Sequence, residues 1–345
     1  MTEENYISAY QQKKHRKNIF LILTICLLII IMFMISMGTG FIRLTPIELV
    51  RTLFGMGTDK QNIILFDFRL PRIVISILVG MALAVSGSIL QGVSRNALAD
   101  PGILGINSGA GLAVMLFISF FPTTTAAPVF FLPILAFVGA GATAILIYVL
   151  AYKRGEGISP TRLLLTGVAV AAGISAAMIV LTLRLSPENY QFVAIWMAGS
   201  IWGSNWSFVL ALLPWILILL PIAYSKARVL NTFNLGEIPA TGLGLAIEKE
   251  RLILLAIAVG LAGASVSVSG GIGFIGLIAP HLARQLVGAK HQYLLPTAAL
   301  IGSLLLITAD TIGRWILQPS EIPAGIVVAV IGAPYFLYLL ARSKA

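Results

Sequence analysis

KKHRKNIFLILTICLLIIIMFMISM, residues 13–37, decides the fold class of this chain. Its last nineteen residues carry no charge, close to the roughly 20 apolar residues that a helix needs to cross the hydrocarbon core. The basic cluster Lys13, Lys14, His15, Arg16 and Lys17 stands directly before it. A secretory signal also begins with basic residues, but this apolar run is too long and no small-residue cleavage site follows. The stretch therefore reads as an uncleaved first span whose N-terminal side is cytoplasmic. Composition extends that reading to the whole chain. Of 345 residues, 58% are hydrophobic and only 10% charged, with a mean hydropathy of +0.97. Soluble domains hold about 45–50% apolar and about 25% charged residues, so lipid must be the solvent here. Disordered chains are apolar-poor and charge-rich, and are excluded by the same comparison.

Outward from residues 19–37, nine further apolar runs cover 73–90, 103–121, 129–150, 163–183, 208–224, 252–268, 272–287, 293–312 and 322–340. Ten spans put both ends of the chain on one side. The odd-numbered links then carry Arg43, Arg51, Lys60, Arg69, Arg72, Arg184 and Arg314, and the other sixteen of the 23 basic residues lie on the N-terminal side. This bias places both termini in the cytoplasm. It also accounts for the net charge of +10, whose scattered cations make no nucleic-acid-binding patch. The chain divides into a cytoplasmic tail (1–18), one transmembrane domain (19–340) with a polar cytoplasmic loop at 226–251, and a short cytoplasmic end (341–345). With 33 glycines and 16 prolines, the spans are expected to be kinked and closely packed.

Catalytic chemistry is not legible. No G-x-x-x-x-G-K-[ST] phosphate loop and no H-E-x-x-H pair occurs, and His15, His281 and His291 lie too far apart in sequence for a local metal site. An intramembrane enzyme would need a constellation that the sequence lacks. An ion-gradient-driven carrier is the other rival class, and would show charges deep within spans. Asp310 comes nearest, but Arg314 one turn later makes an i,i+4 pair the economical reading. The chain has no visible energy source of its own.

Several polar segments are too particular for generic links. They are Arg69-Leu-Pro-Arg72; Arg95-Asn96-Ala97-Leu98-Ala99-Asp100-Pro101; Leu235-Gly236-Glu237-x-x-Ala240-x-x-Leu243-Gly244; Gly270-Gly271-Ile272-Gly273-Phe274; Pro280-His281-x-x-Arg284; and Asp310-x-x-x-Arg314 with Pro319-x-Glu321-x-Pro323. In this order they closely resemble the FecCD-type permeases, the membrane subunits of ABC importers for iron–siderophore complexes, heme and cobalamin. The resemblance runs from about residue 40 to the C-terminus. Ala97 departs from it, standing where the family usually has proline.

The resemblance implies an all-α type II importer permease of about ten spans in the bacterial cytoplasmic membrane. Its partners would be a second permease, identical or paralogous, two cytoplasmic ATPase subunits and an extracytoplasmic binding protein. No cofactor is expected on the chain itself, ATP being bound by the partner. Leu235, Gly236, Glu237, Ala240, Leu243 and Gly244 look like the motif that docks into the ATPase, Glu237 beginning a short helix and Gly244 ending it. The bland reading makes them caps only. Pro280, His281 and Arg284 form a second candidate contact. Arg69, Arg72 and Arg314, read as isolated cations at outer span ends, would meet acids of the binding protein, or else merely snorkel. By resemblance, spans five and ten with the Ser159-Pro160-Thr161 turn line and gate the path. Trp196, Trp202 and Trp206 flank Gly199-Ser200 in the link between spans five and six; as interfacial anchors they need no function, and the resemblance places a short helix here, near the pore mouth. A ferric siderophore, hydroxamate type first, is the expected cargo.

Overall fold

The computed structural model describes residues 3–342 apart from 41, 43, 122–129, 155 and 156; Arg43 and the end at 343–345 therefore lie outside the described residues. In chain order the helices are α1 (Glu3–Gly38), α2 (Pro46–Leu53), α3 (Asp59–Asn62), α4 (Leu70–Ser94), α5 (Ile106–Phe120), α6 (Phe131–Ala151), α7 (Pro160–Thr182) and α8 (Pro187–Met197). There follow α9 (Trp206–Ser225), α10 (Ala227–Phe233), α11 (Glu237–Gly242), α12 (Ile247–Ser269), α13 (Ile275–Val287), α14 (His291–Ile316) and α15 (Ala324–Arg342). Each of the ten apolar runs falls on its own helix: α1, α4–α7, α9 and α12–α15. Seven of the described segments are long and apolar enough to cross a bilayer, and α5 and α15 are shorter apolar helices. At 1.5 Å per residue, α13 reaches only about 20 Å. The backbone before it, Gly270–Phe274, is unwound within the bundle.

Irregular backbone is tolerated at membrane depth only where protein covers it. Here the Gly271 N–H donates to Trp196 O at 3.4 Å, and beside it the Gly325 N–H donates to Gly199 O at 2.9 Å. Trp196 is thus part of this packing, not a simple interfacial anchor. The short helix expected in the link between spans five and six is α8.

Helices α4, α12 and α14 are the buried centre, with α13 packed between α4 and α14. Small residues set their spacing. A methyl group on Gly87 would overlap the Gly276 carbonyl, and Gly109 and Gly139 oppose each other in the same way between α5 and α6. The fold is not purely helical: Tyr152–Lys153 (β1) and Gly157–Ile158 (β2) pair antiparallel in the turn between α6 and α7. Helix α1 begins at Glu3, so the described part of the expected tail 1–18 continues the first span without a break.

Candidate functional site at the two ends of the bundle

Contacts between links sort them into two sets. At one end, residues from the first, fifth and ninth links line a cavity of about 380 Å³ that includes Arg69, Arg72, Trp202, Arg314 and Glu321. At the other, the tail meets α14 through a 2.6 Å His15–Tyr293 hydrogen bond, and the even-numbered links meet one another. A nine- or eleven-helix path would mix these sets.

The three arginines expected at the outer span ends are not isolated cations. All three are buried, because the carbonyls that end α1 and the acids of two other segments surround them. Asp310, 1% exposed, accepts from Arg72 Nε at 2.9 Å and from Arg314 Nε at 3.1 Å. The expected i,i+4 pair is therefore present, within a larger cluster. Arg72 Nη1 also donates to Glu321 at 2.7 Å. Arg69 donates to Met37 O and Ile42 O, and Arg314 to Ser36 O, Ser36 Oγ and Thr39 O. Cations thereby satisfy the orphan carbonyls at the C-terminal end of α1. Three guanidinium groups against two carboxylates leave one positive charge in surplus beside the cavity.

At the opposite end, residues 226–251 hold two short helices, α10 and α11, and the first turn of α12. Gly236 precedes α11 with φ +102°, and Gly244 follows it with φ +83°, its N–H donating to Thr241 O at 2.9 Å. Glu237 does begin the helix, but its carboxylate turns away to Arg251. That guanidinium, 2% exposed, donates through Nη2 to Glu237 Oε1 at 2.6 Å. Through Nη1 it reaches Ile158 O at 2.6 Å and Glu248 Oε1 at 2.8 Å. Phe233 of α10 lies beneath it, 6.0 Å from ring centre to guanidinium carbon. Arg95, in left-handed conformation at the end of α4, approaches Glu237 at 3.9 Å. One buried cation therefore joins α10, α11, α12 and the residue just before Ser159-Pro160-Thr161.

Ala240 is buried on the inner face of α11, whereas Leu235 and Leu243, just outside the helix, are exposed. Ile238, 88% exposed, protrudes furthest of all the large apolar side chains here. Sequence reasoning passed over both Arg251 and Ile238. The signal for Ile238 was an apolar residue in a polar loop; Arg251, the last residue of the charged run Glu248–Arg251, gave none.

Pro280 is buried within α13 and shapes that helix, not a surface. His281 hydrogen-bonds Gln285 at 2.9 Å and meets Tyr335 of α15 edge-on, and Arg284 is half-buried on the same helix. In the turn between α4 and α5, Asn96 Oδ1 accepts from the Leu98 N–H at 2.9 Å, which closes the turn without a proline at Ala97. Asp100 accepts from the Gly102 N–H at 2.8 Å, and burial pushes its carboxyl up to about 6. Pro160 begins α7, while Thr161 is exposed.

A ten-span helical bundle with a charged basin at one end and tethered short helices at the other defines a polytopic permease subunit. The model of the FecCD transport family matches residues 27–342, and the chain belongs to that family. It is 49% identical over 335 residues to the iron(3+)-hydroxamate import system permease protein FhuG of Bacillus subtilis (strain 168), covering 96% of this chain and 99% of that one. The hemin transport system permease protein HmuU of Yersinia pestis is 40% identical, over 92% of this chain and 95% of that protein. Among solved structures, a metal-chelate type ABC transporter in an inward-facing conformation superposes with a TM-score of 0.79 at 31% identity, covering 93% of this chain and 98% of that one. The fold is thus the type II importer permease architecture that the motifs implied.

Proposed function

We propose that the chain is the membrane subunit of an ABC importer that carries a ferric hydroxamate siderophore across the bacterial cytoplasmic membrane, with both termini and the 226–251 loop in the cytoplasm. The observation that carries the cargo assignment is the near end-to-end 49% identity to a hydroxamate permease. ATP hydrolysis belongs to two separate cytoplasmic subunits. Their closure moves α10 and α11 through the exposed Leu235, Ile238 and Leu243. Glu237, Arg251 and the Ile158 carbonyl pass that movement to the Ser159-Pro160-Thr161 turn and so to α7.

A second permease packs against the uncovered face of α7, where Ala169, Ala172, Gly173 and Ala176 are exposed together. Small residues there allow close approach between helices and leave room for a path between two copies. The binding protein docks an acidic group over the outer basin, whose surplus positive charge steers and registers it. His281 and Arg284 lie beside the α13 end and form a secondary ATPase contact.

Uptake of radiolabelled ferric hydroxamate by cells lacking and then regaining the chain tests this reading. Restored hydroxamate uptake with unchanged ferric citrate and hemin uptake is expected. Restoration of hemin or citrate uptake alone overturns the cargo assignment.

A further inference from the structure

One sizeable cavity beside the described helices belongs to neither the basin nor the tether. It has a volume of about 610 Å³ and lies between the start of α1 and the end of α13. Lys13, Lys14 and Lys17 line one wall, and Leu286 and Gly288 the other. Such a volume is in the range of small-molecule sites, far above what a few waters need.

Lys13 and Lys17, like Lys14 and Asn18, are one helical turn apart, so the basic groups share a face. Like charges at that spacing destabilise a helix unless an anion lies between them. No described carboxylate forms an ion pair with any of the three lysines. One lysine near Gly288 suffices to complement the C-terminal dipole of α13, and the charge bias that orients the chain accounts for basic residues on this side, but neither accounts for three lysines lining one cavity. Asn18 supplies an independent sign of a missing partner. The residue is 2% exposed and borders the cavity, yet its Nδ2 donor has no hydrogen-bond acceptor. Buried donors are nearly always paired.

The position selects the occupant. Asn18 immediately precedes the apolar run, and the next outward-facing residues, Ile19, Phe20 and Leu23, are exposed on the lipid side of α1. Leu286 on the far wall is exposed as well. A polar recess with a basic wall thus opens onto an apolar surface, a match for an amphiphile with an anionic head. We propose that this cavity binds the headgroup of an anionic phospholipid. Lysines 13, 14 and 17 face its phosphate, Asn18 donates to a phosphate or glycerol oxygen, and the acyl chains lie along α1.

Native mass spectrometry tests this on the permease assembled with its ATPase subunits and released from bilayers of equal phosphatidylglycerol and phosphatidylcholine. The wild type should retain phosphatidylglycerol over phosphatidylcholine by about tenfold or more. The triple variant K13Q/K14Q/K17Q should lose that preference. Asn18→Leu should reduce it with every charge intact, whereas Arg16→Gln, on the same tail but outside the cavity, should leave it unchanged. If the triple variant fails to assemble, the comparison of N18L with R16Q decides alone. Equal retention of the two lipids, or a preference untouched by N18L and the lysine variants, overturns the proposal. Displacement of the lipid by millimolar inorganic phosphate would show a phosphate site instead. Loss of ATPase subunits with lipid retention unchanged would show a protein contact.

Discussion

Glu237→Ala tests the mechanical path most sharply. Glu237 Oε1 accepts from Arg251 Nη2 at 2.6 Å, and no other carboxylate links α11 to that buried guanidinium among the described residues. A hydrogen bond to a charged group contributes about 1.5–3 kcal/mol. Glu237 is itself 45% exposed at its side chain, so solvent screening confines the value to the lower part, about 1.5–2 kcal/mol. As every 1.4 kcal/mol is a factor of ten, the link between α11 and the Ile158 turn should weaken about ten- to thirtyfold. The assay reconstitutes the permease with its ATPase and binding protein in liposomes, and measures ATP hydrolysed per cargo delivered. E237A should raise that ratio by up to the same factor, and E237Q, which keeps an acceptor but loses the charge, should fall between. A wild-type ratio in E237A, with the complex still assembled, would refute transmission through this contact.

Other outcomes follow from the same geometry. Asp310→Asn preserves shape but leaves Arg72 and Arg314 buried without their shared counter-ion, so thermal unfolding in detergent should show a loss of about 3–5 kcal/mol. Asp100 should make stability pH-dependent. Its folded pKa of about 6 exceeds the ordinary 3.8, so the protonated form favours the fold and stability falls as pH rises through 6. D100N removes that dependence, and its advantage over the wild type in melting temperature should grow between pH 5 and pH 7.5. Gly87→Ala should destabilise by about 1–3 kcal/mol or more through overlap with the Gly276 carbonyl. Gly141→Ala, where nothing lies within 4 Å of a new methyl group, should be neutral or stabilising in the same melts.

Much of the fold was legible because each span must satisfy its own backbone within one contiguous apolar run. All ten runs became helices, and the even count explains why Arg72, Trp202 and Glu321 meet at one end while His15, Arg95 and Glu237 lie at the other. Depth was harder to read. The helix expected over 272–287 starts only at Ile275, because the Gly271 N–H donates to the carbonyl of Trp196, far away in sequence. The Arg314–Asp310 pair was legible from its spacing, but Arg69 and Arg72 were read as free cations because their partners are remote: Arg72 and Asp310 are separated by 238 positions. No periodicity reports such a pair. Arg251 was equally silent, since a buried arginine is defined by the carbonyl and carboxylates that converge on it. The 33 glycines signalled close packing, but that Gly109 of α5 faces Gly139 of α6 could be identified only from the packing.

The most direct test of the central claim is ferric hydroxamate accumulation in sealed proteoliposomes holding the permease, its ATPase and the binding protein. The account predicts accumulation that requires ATP and the ATPase subunit, and that persists when ionophores collapse the proton and sodium gradients. Accumulation without the ATPase that disappears with either gradient would make the chain an ion-driven carrier, and would contradict the account.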